Sequence, residues 1–251
     1  MARLTSTILW AAMTVLFSPP ARAAPSRLTV WAWERPEDLR FLPPDVQIGV
    51  QTGFVVLSGD RLIARGRRFA LLARSAQVTT ALVHVQIDPR APLVWTPHLK
   101  ARTVAAVLHF ALAAPARRVQ VDFEVRASQR RVLLDVLDGV RAGLPPQTLL
   151  SMTAIASWCD TENWIAAAPV DEVVPMLFRM GSGGAALKAR LAQGGDFVDG
   201  RCRSALAVST DSPITRAPPG RAVYLFNPGS WTPEAFRRIR QGVEGWDLAK
   251  P

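Results

Sequence analysis

Tyrosine, histidine and cysteine are scarce: the 251 residues hold one Tyr, three His and two Cys. Two thiols cannot close a four-ligand metal site by themselves. The histidines form no H-E-x-x-H pair for a catalytic zinc, and neither G-x-S-x-G nor G-x-x-x-x-G-K-[ST] occurs. Nucleophile-elbow hydrolysis and P-loop nucleotide chemistry are therefore set aside, and no metal or other cofactor is expected. Gly181 to Gly184 (GSGG) is a flexible loop without the strand and helix context that phosphate binding needs. Long apolar runs are missing as well, so no membrane span is expected in the mature chain.

Lysine is limited to Lys100, Lys188 and Lys250, and the net charge of +10 rests on arginine. The arginine pairs Arg67-Arg68, Arg117-Arg118, Arg130-Arg131 and Arg237-Arg238 fall on separate predicted elements. Nucleic-acid binders gather such charge on one face, so nucleic acid is not expected as a partner. Arginine-rich codon usage accounts for the composition, and an anionic polysaccharide is the functional alternative.

What is present begins with an export pattern. Arg3 precedes an apolar stretch from Ile8 to Phe17, Ser18-Pro19-Pro20 breaks it, and Ala21-Arg22-Ala23 has the small-x-small form of a cleavage site. Residues 1–23 read as a signal peptide and residues 24–251 as one domain, periplasmic or secreted. Cys159 and Cys202 would then meet an oxidising compartment, which leaves a disulfide or two separate buried thiols open.

With 49% hydrophobic residues the mature chain can bury one sizeable core. Eight strand-like segments follow: 28–34, 53–57, 81–88, 118–125, 148–155, 172–178, 204–209 and 222–226. Between most of them lie helical segments: a short one opened by Pro36-Glu37-Asp38, then 103–114, a helix from Ser128 to Gly143, 160–167, 185–192 and a last one from Thr232 to about Gln241. Residues 61–73 read as a β-excursion instead, and 210–221 as a loop. Such alternation predicts a parallel sheet, and eight units in this length predict a small TIM-like (β/α)8 barrel with some helices missing. VQID at 85–88 recurs as VQVD at 119–122 one unit later.

In that barrel, alternate residues of each strand face the lumen. Val119, Val121 and Phe123 would face helices, sending Gln120, Asp122 and Glu124 inward, with the last two near the C-terminal rim where barrel enzymes keep their sites. The same parity sends His84, Gln86 and Asp88 inward from the third strand, Ser151 and Thr153 from the fifth, and Arg179 from the sixth. His84 is expected as a satisfied interior histidine. Trp33, Trp95, Trp158 and Trp231 sit at or just beyond strand C-termini, and one rim would gather them into an aromatic groove suited to sugar rings. Carboxyls two residues apart on a strand lie about 6.6 Å apart and raise one another's proton affinity. Glu124 is thus the expected general acid, with Asp122 as its partner and Asp88 as a second candidate. Hydrolysis by two carboxylates would need them roughly 5 to 9.5 Å apart across a sugar.

The order VWAWERPEDL, VQVDFE, LLSMTAIASWC, VDEVVPMLFRMG, ALAVSTDSP and YLFNPGSWTPEAF resembles the bacterial exported family catalogued as domain of unknown function 3142. That resemblance implies a TIM barrel related to glycoside hydrolases. More locally, Gln120-Val121-Asp122-Phe123-Glu124 resembles the D-x-D-x-E at the end of the fourth strand in chitinase-like family 18 barrels, departing at the first position. It implies Glu124 as acid and Asp122 as the residue that orients a substrate acetamido group. Where that family brings a Tyr and an Asp on the sixth strand, this chain has Phe178 and Arg179. The expectation is an exported glycoside-hydrolase-like protein acting on a polysaccharide or oligosaccharide. The alternatives are a non-catalytic glycan-binding protein and an envelope assembly or scaffold protein on the same fold.

Overall fold

The computed structural model describes residues 27–248 apart from 161 and 163, without the side chains of 182, 247 and 248. The expected signal peptide lies outside the described residues. Eight parallel strands close into a barrel: Arg27–Ala32, Gln47–Ser58, Val78–Ile87, Arg118–Phe123, Leu149–Ile155, Glu172–Met176, Ala205–Ser209 and Ala222–Phe226. They are called the first to eighth strands below. Closure runs through the first strand, which pairs with the eighth (Val30 with Leu225) and with the second (Val30 with Ile48). Among the described residues four α-helices, α1 (Pro97–Ala111), α2 (Arg130–Gly143), α3 (Gly184–Ala192) and α4 (Pro233–Leu248), complete the TIM-like α/β architecture.

Period-two alternation divides the apolar side chains into two clusters. Val30, Val119, Val121, Phe123, Leu150, Met152, Leu206, Val208, Val223 and Leu225 join the layer that includes the helices. Trp31, Leu82, Val174, Met176, Ala205, Ala207, Ala222 and Tyr224 fill the lumen. Trp31 Nε1 donates to Gln120 Oε1 at 2.8 Å although the first and fourth strands are not neighbours, so both side chains point across the barrel. The interior is packed, as expected for eight strands.

Several local expectations are corrected. The segment opened by Pro36 is not a helix: Glu37–Asp38 pairs with Leu71–Leu72 as a two-stranded ribbon, and the buried Glu37 carboxylate accepts the N–H of Trp231 at 2.9 Å. The second strand starts at Gln47, with register shifts at Ile48/Gly49 and Gln51/Gly53 that mask its alternation. α1 starts at Pro97, where Thr96 Oγ1 accepts from the N–H of Leu99 at 3.1 Å, and α4 runs on to Leu248. The 160–167 helix is replaced by single 3-10 turns at Ala156–Cys159 and Trp164–Ala167. The β-excursion expected over 61–73 is present, in contrast: the return from the second to the third strand runs through an antiparallel strand at Arg61–Gly66 and the short strand Leu71–Leu72.

Gly53 shows how closely helix and barrel approach: a Cβ there would lie 2.4 Å from the Phe110 ring of α1. Cys159 and Cys202 form a disulfide, Cα to Cα 5.9 Å, joining the turn after the fifth strand to the turn before the seventh.

Candidate active site

The deepest polar layer of the lumen is structural. Gln120 is fully buried and donates from Nε2 to Ser151 Oγ at 3.0 Å. Ser151 in turn donates to Glu172 Oε2 at 3.0 Å, and Tyr224 OH donates to the same oxygen at 2.6 Å. Arg118 Nε, 3.4 Å from it, supplies the balancing charge. Burial, then the Glu172 charge, pushes the phenol of Tyr224 above its usual range. Gln120, expected at the substrate, is therefore spent on Trp31 and Ser151.

One layer nearer the C-terminal mouth, interstrand register brings three chemically active groups together. His84 is level with Asp122. Its Nδ1 lies 2.5 Å from Asp122 Oδ2, while Thr153 Oγ1 donates to Asp122 Oδ1 at 2.6 Å. Asp122 is buried, and both oxygens are engaged. Burial works against protonation of His84, but the Asp122 hydrogen bond and charge, with help from Gln86 and Glu124, hold its pKa above the ordinary value. The His84 ring stacks on Phe54 (centroids 5.1 Å, planes at 9°) and meets the edge of Trp33 at 5.9 Å.

Glu124 follows the fourth strand, its side chain open to the mouth. Surrounding protein, then the Asp122 charge, raises its pKa, while His84 and Arg179 pull it down; the net direction is upward, limited by contact with water. Arg179 has φ +55, in the left-handed region that a side chain rarely adopts, and its guanidinium lies 5.6 Å from the Phe226 centroid. Phe226 stacks on Phe178 at 5.1 Å and meets Trp33 at 5.8 Å. Together these residues line a cleft of about 430 Å³, with Glu34, Arg35 and Arg65 on its rim. Arg65 and the Glu34 carboxylate are ion-paired, and Arg67 donates to the carbonyls of Ala32, Trp33 and Arg35, which fixes the Trp33 loop.

A second cavity of about 570 Å³ begins on the other side of Glu124. Asp88 lines it, accepting from Arg90 Nε at 3.1 Å and Ser58 Oγ at 3.2 Å. The Arg90 hydrogen bonds hold its carboxyl below the usual range. Asp88 is not beside Asp122: the VQID and VQVD echo is out of register, because Val83, not Ile87, lies beside Val121.

The expected ring of four tryptophans does not form. Trp33 lines the acid cleft. Trp95 bonds Asp135 of α2 at 3.0 Å, Trp158 is buried against Trp164 at 4.8 Å, and Trp231 is buried with Nε1 on the Trp31 carbonyl at 2.9 Å. Each indole has an apolar seat away from the cleft, and its loop folds back to fill it. The aromatic wall comes instead from Phe54, Phe178 and Phe226, all on lumen parity.

Fold and site together define a closed parallel barrel with a carboxyl–histidine cluster in a cleft at its C-terminal mouth. No family model matches the chain, and no curated protein or solved structure matches it.

Proposed function

We propose that the protein is an exported glycoside-hydrolase-like barrel that cleaves a polysaccharide, with Glu124 as the general acid and Asp122 as its charged partner. The observation that carries this reading is the placement of Glu124. It is a carboxyl with a raised pKa at the mouth of a barrel, facing a cleft beside a buried carboxylate whose two oxygens are fixed. A carboxyl whose pKa is raised holds its proton to higher pH, which is what a leaving glycosidic oxygen needs. Glu124 gives that proton to the leaving oxygen, water adds at the sugar carbon, and the proton lost by the water restores Glu124. Asp122 has both oxygens occupied by Thr153 and His84, which suits it to stabilise positive charge on the sugar, or to orient a substituent, more than to attack carbon. The flat faces of Trp33, Phe178 and Phe226 provide apolar contact for a sugar ring.

A second reading, a glycan-binding or envelope assembly protein without turnover, is favoured by one feature: Phe178 lines the cleft without a hydroxyl. Reducing-end release from a panel of polysaccharides separates the two. Release that disappears in Glu124→Gln supports the hydrolase, whereas glycan binding unchanged in that variant, with no release by the unaltered protein, supports the binder.

A further inference from the structure

Glu124 lines both cavities at the barrel mouth. On one side lies the cleft of His84, Asp122 and Arg179; on the other lies the cavity of Asp88, Arg90, Arg126 and Gln129. A carboxyl in the wall shared by two cavities of about 430 and 570 Å³ can reach a bond in a ligand that fills both. Each volume accommodates a sugar unit or more, judged against ligand pockets of about 300–1,000 Å³.

The charges in the two cavities differ in their partners. Arg35 is near Glu37, Arg65 is paired with Glu34, and Arg90 with Asp88. Neither Arg126 nor Arg179 has a carboxylate within 4 Å among the described residues, Arg179 acting on Glu124 only at longer range, and each lies in a different cavity. Both are exposed, so neither needs a protein anion to remain charged. Arg179 is also held in a left-handed backbone conformation, with its guanidinium above Phe226. A planar guanidinium recognises a carboxylate or sulfate through paired N–H donors.

We infer that the two cavities form one substrate groove for an anionic glycan chain, with the bond to be cut over Glu124, Arg179 binding an acidic group on one side and Arg126 binding another across the cut. This rests on the hydrolase reading and specifies its substrate class. The chain carries carboxylate or sulfate groups on sugars at both sides of the reacting bond.

The test uses Glu124→Gln protein, which retains the groove and removes the proton donor. Its affinity is measured by calorimetry for a uronate oligosaccharide, for the same oligosaccharide with its carboxyls reduced to alcohols, and for a sulfated oligosaccharide of equal length. The expected result is at least about tenfold tighter binding of one of the anionic oligomers than of the neutral one, with the anionic winner identifying the acidic group. Adding Arg126→Ala or Arg179→Ala is expected to reduce that preference by about threefold or more each. Arg102→Ala, on α1 and outside both cavities, tests for a simple net-charge effect and is expected to leave the preference intact. Equal affinity for neutral and anionic oligomers overturns the inference, as does a preference insensitive to Arg126 and Arg179. Failure of the underlying reading looks different: charge-selective binding without reducing-end release by the unaltered protein removes hydrolysis and leaves the anionic groove. Equal hydrolysis of neutral and anionic polymers leaves hydrolysis and removes the anionic groove.

Discussion

Nδ1 of His84 and Oδ2 of Asp122 are 2.5 Å apart across the third and fourth strands, inside the barrel mouth. This contact joins a lumen histidine to a buried carboxylate and raises the pKa of the imidazole. Thr153 takes the other oxygen from the fifth strand, so three adjacent strands hold Asp122 in one position. Glu124, beyond the end of the fourth strand, is left with the charge of Asp122 and, among the described residues, no hydrogen-bonding neighbour that would favour ionisation. The two carboxyls therefore have different environments, the condition under which one can donate a proton while the other stays charged.

Glu124→Gln is expected to lower sugar release by about 10²–10⁴-fold while leaving substrate binding nearly unchanged. Because the acid must be protonated, the rate of the unaltered protein should fall as pH rises through the raised value of Glu124. Initial rates across pH test both points. An undiminished rate in the variant assigns the chemistry elsewhere.

His84→Gln is expected to weaken the fold in a pH-dependent way. The His84 pKa is raised in the native state. Its charged pairing with Asp122 therefore contributes fully below the ordinary histidine value of about 6.5 and is lost as pH rises through the raised value. Thermal unfolding of the two proteins should differ most on the acid side of that value and converge above it. A gap that stays constant with pH would show that the ion pair does not set this stability.

Replacing both Cys159 and Cys202 with serine is expected to cost about 2–4 kcal/mol, read from urea unfolding. The bond links residues 43 apart, from the turn after the fifth strand to the turn before the seventh, and neither cysteine lines the Glu124 cleft. The pH dependence of the remaining activity should therefore be unchanged.

Gly53→Ala is expected to destabilise by about 1–3 kcal/mol, because the new methyl group meets the Phe110 ring. Phe110→Ala removes two of the three closest atoms, Cγ and Cδ2, so the double variant should lose less than the sum of the two single losses. A double-mutant cycle measures this coupling, and strict additivity would place the strain elsewhere.

Much of the barrel is legible in the chain because strand alternation is a local property. RVQVDF announces which side chains face helices and which face the lumen before any neighbour is known, and Val119, Val121 and Phe123 do join the helical layer. The same parity brings Asp122 and Thr153 into contact and places Trp33 at the mouth, but it fails on the sixth strand, where Val174, Met176 and Phe178 face the lumen and Arg179 reaches the cleft beyond the strand end, at a left-handed residue that breaks the alternation. Trp31 and Phe54 were readable by this rule too, from their alternation with Val30 and Val55. Gln120 illustrates its limit: inward is not the same as at the site, and depth along the lumen made it a structural partner of Trp31.

The role of His84 was not legible, since it depends on stagger. The repeated VQ-x-D motif makes Asp88 look like the neighbour of Asp122, but the pairing of adjacent strands puts His84 there. The tryptophans fail for another reason. Trp95, Trp158 and Trp231 do follow strand ends, yet a loop residue goes to whichever apolar seat its backbone can reach, and none of the three reaches the Glu124 cleft.

By itself the sequence determined the number and order of the barrel strands and the two faces of most of them, because side-chain direction along an extended chain repeats every second residue. Only the tertiary structure decided which residues stand level with one another and which loop side chains cross the mouth. Register is set by barrel closure and by the bulges of the second strand, and both depend on contacts between residues far apart in the chain.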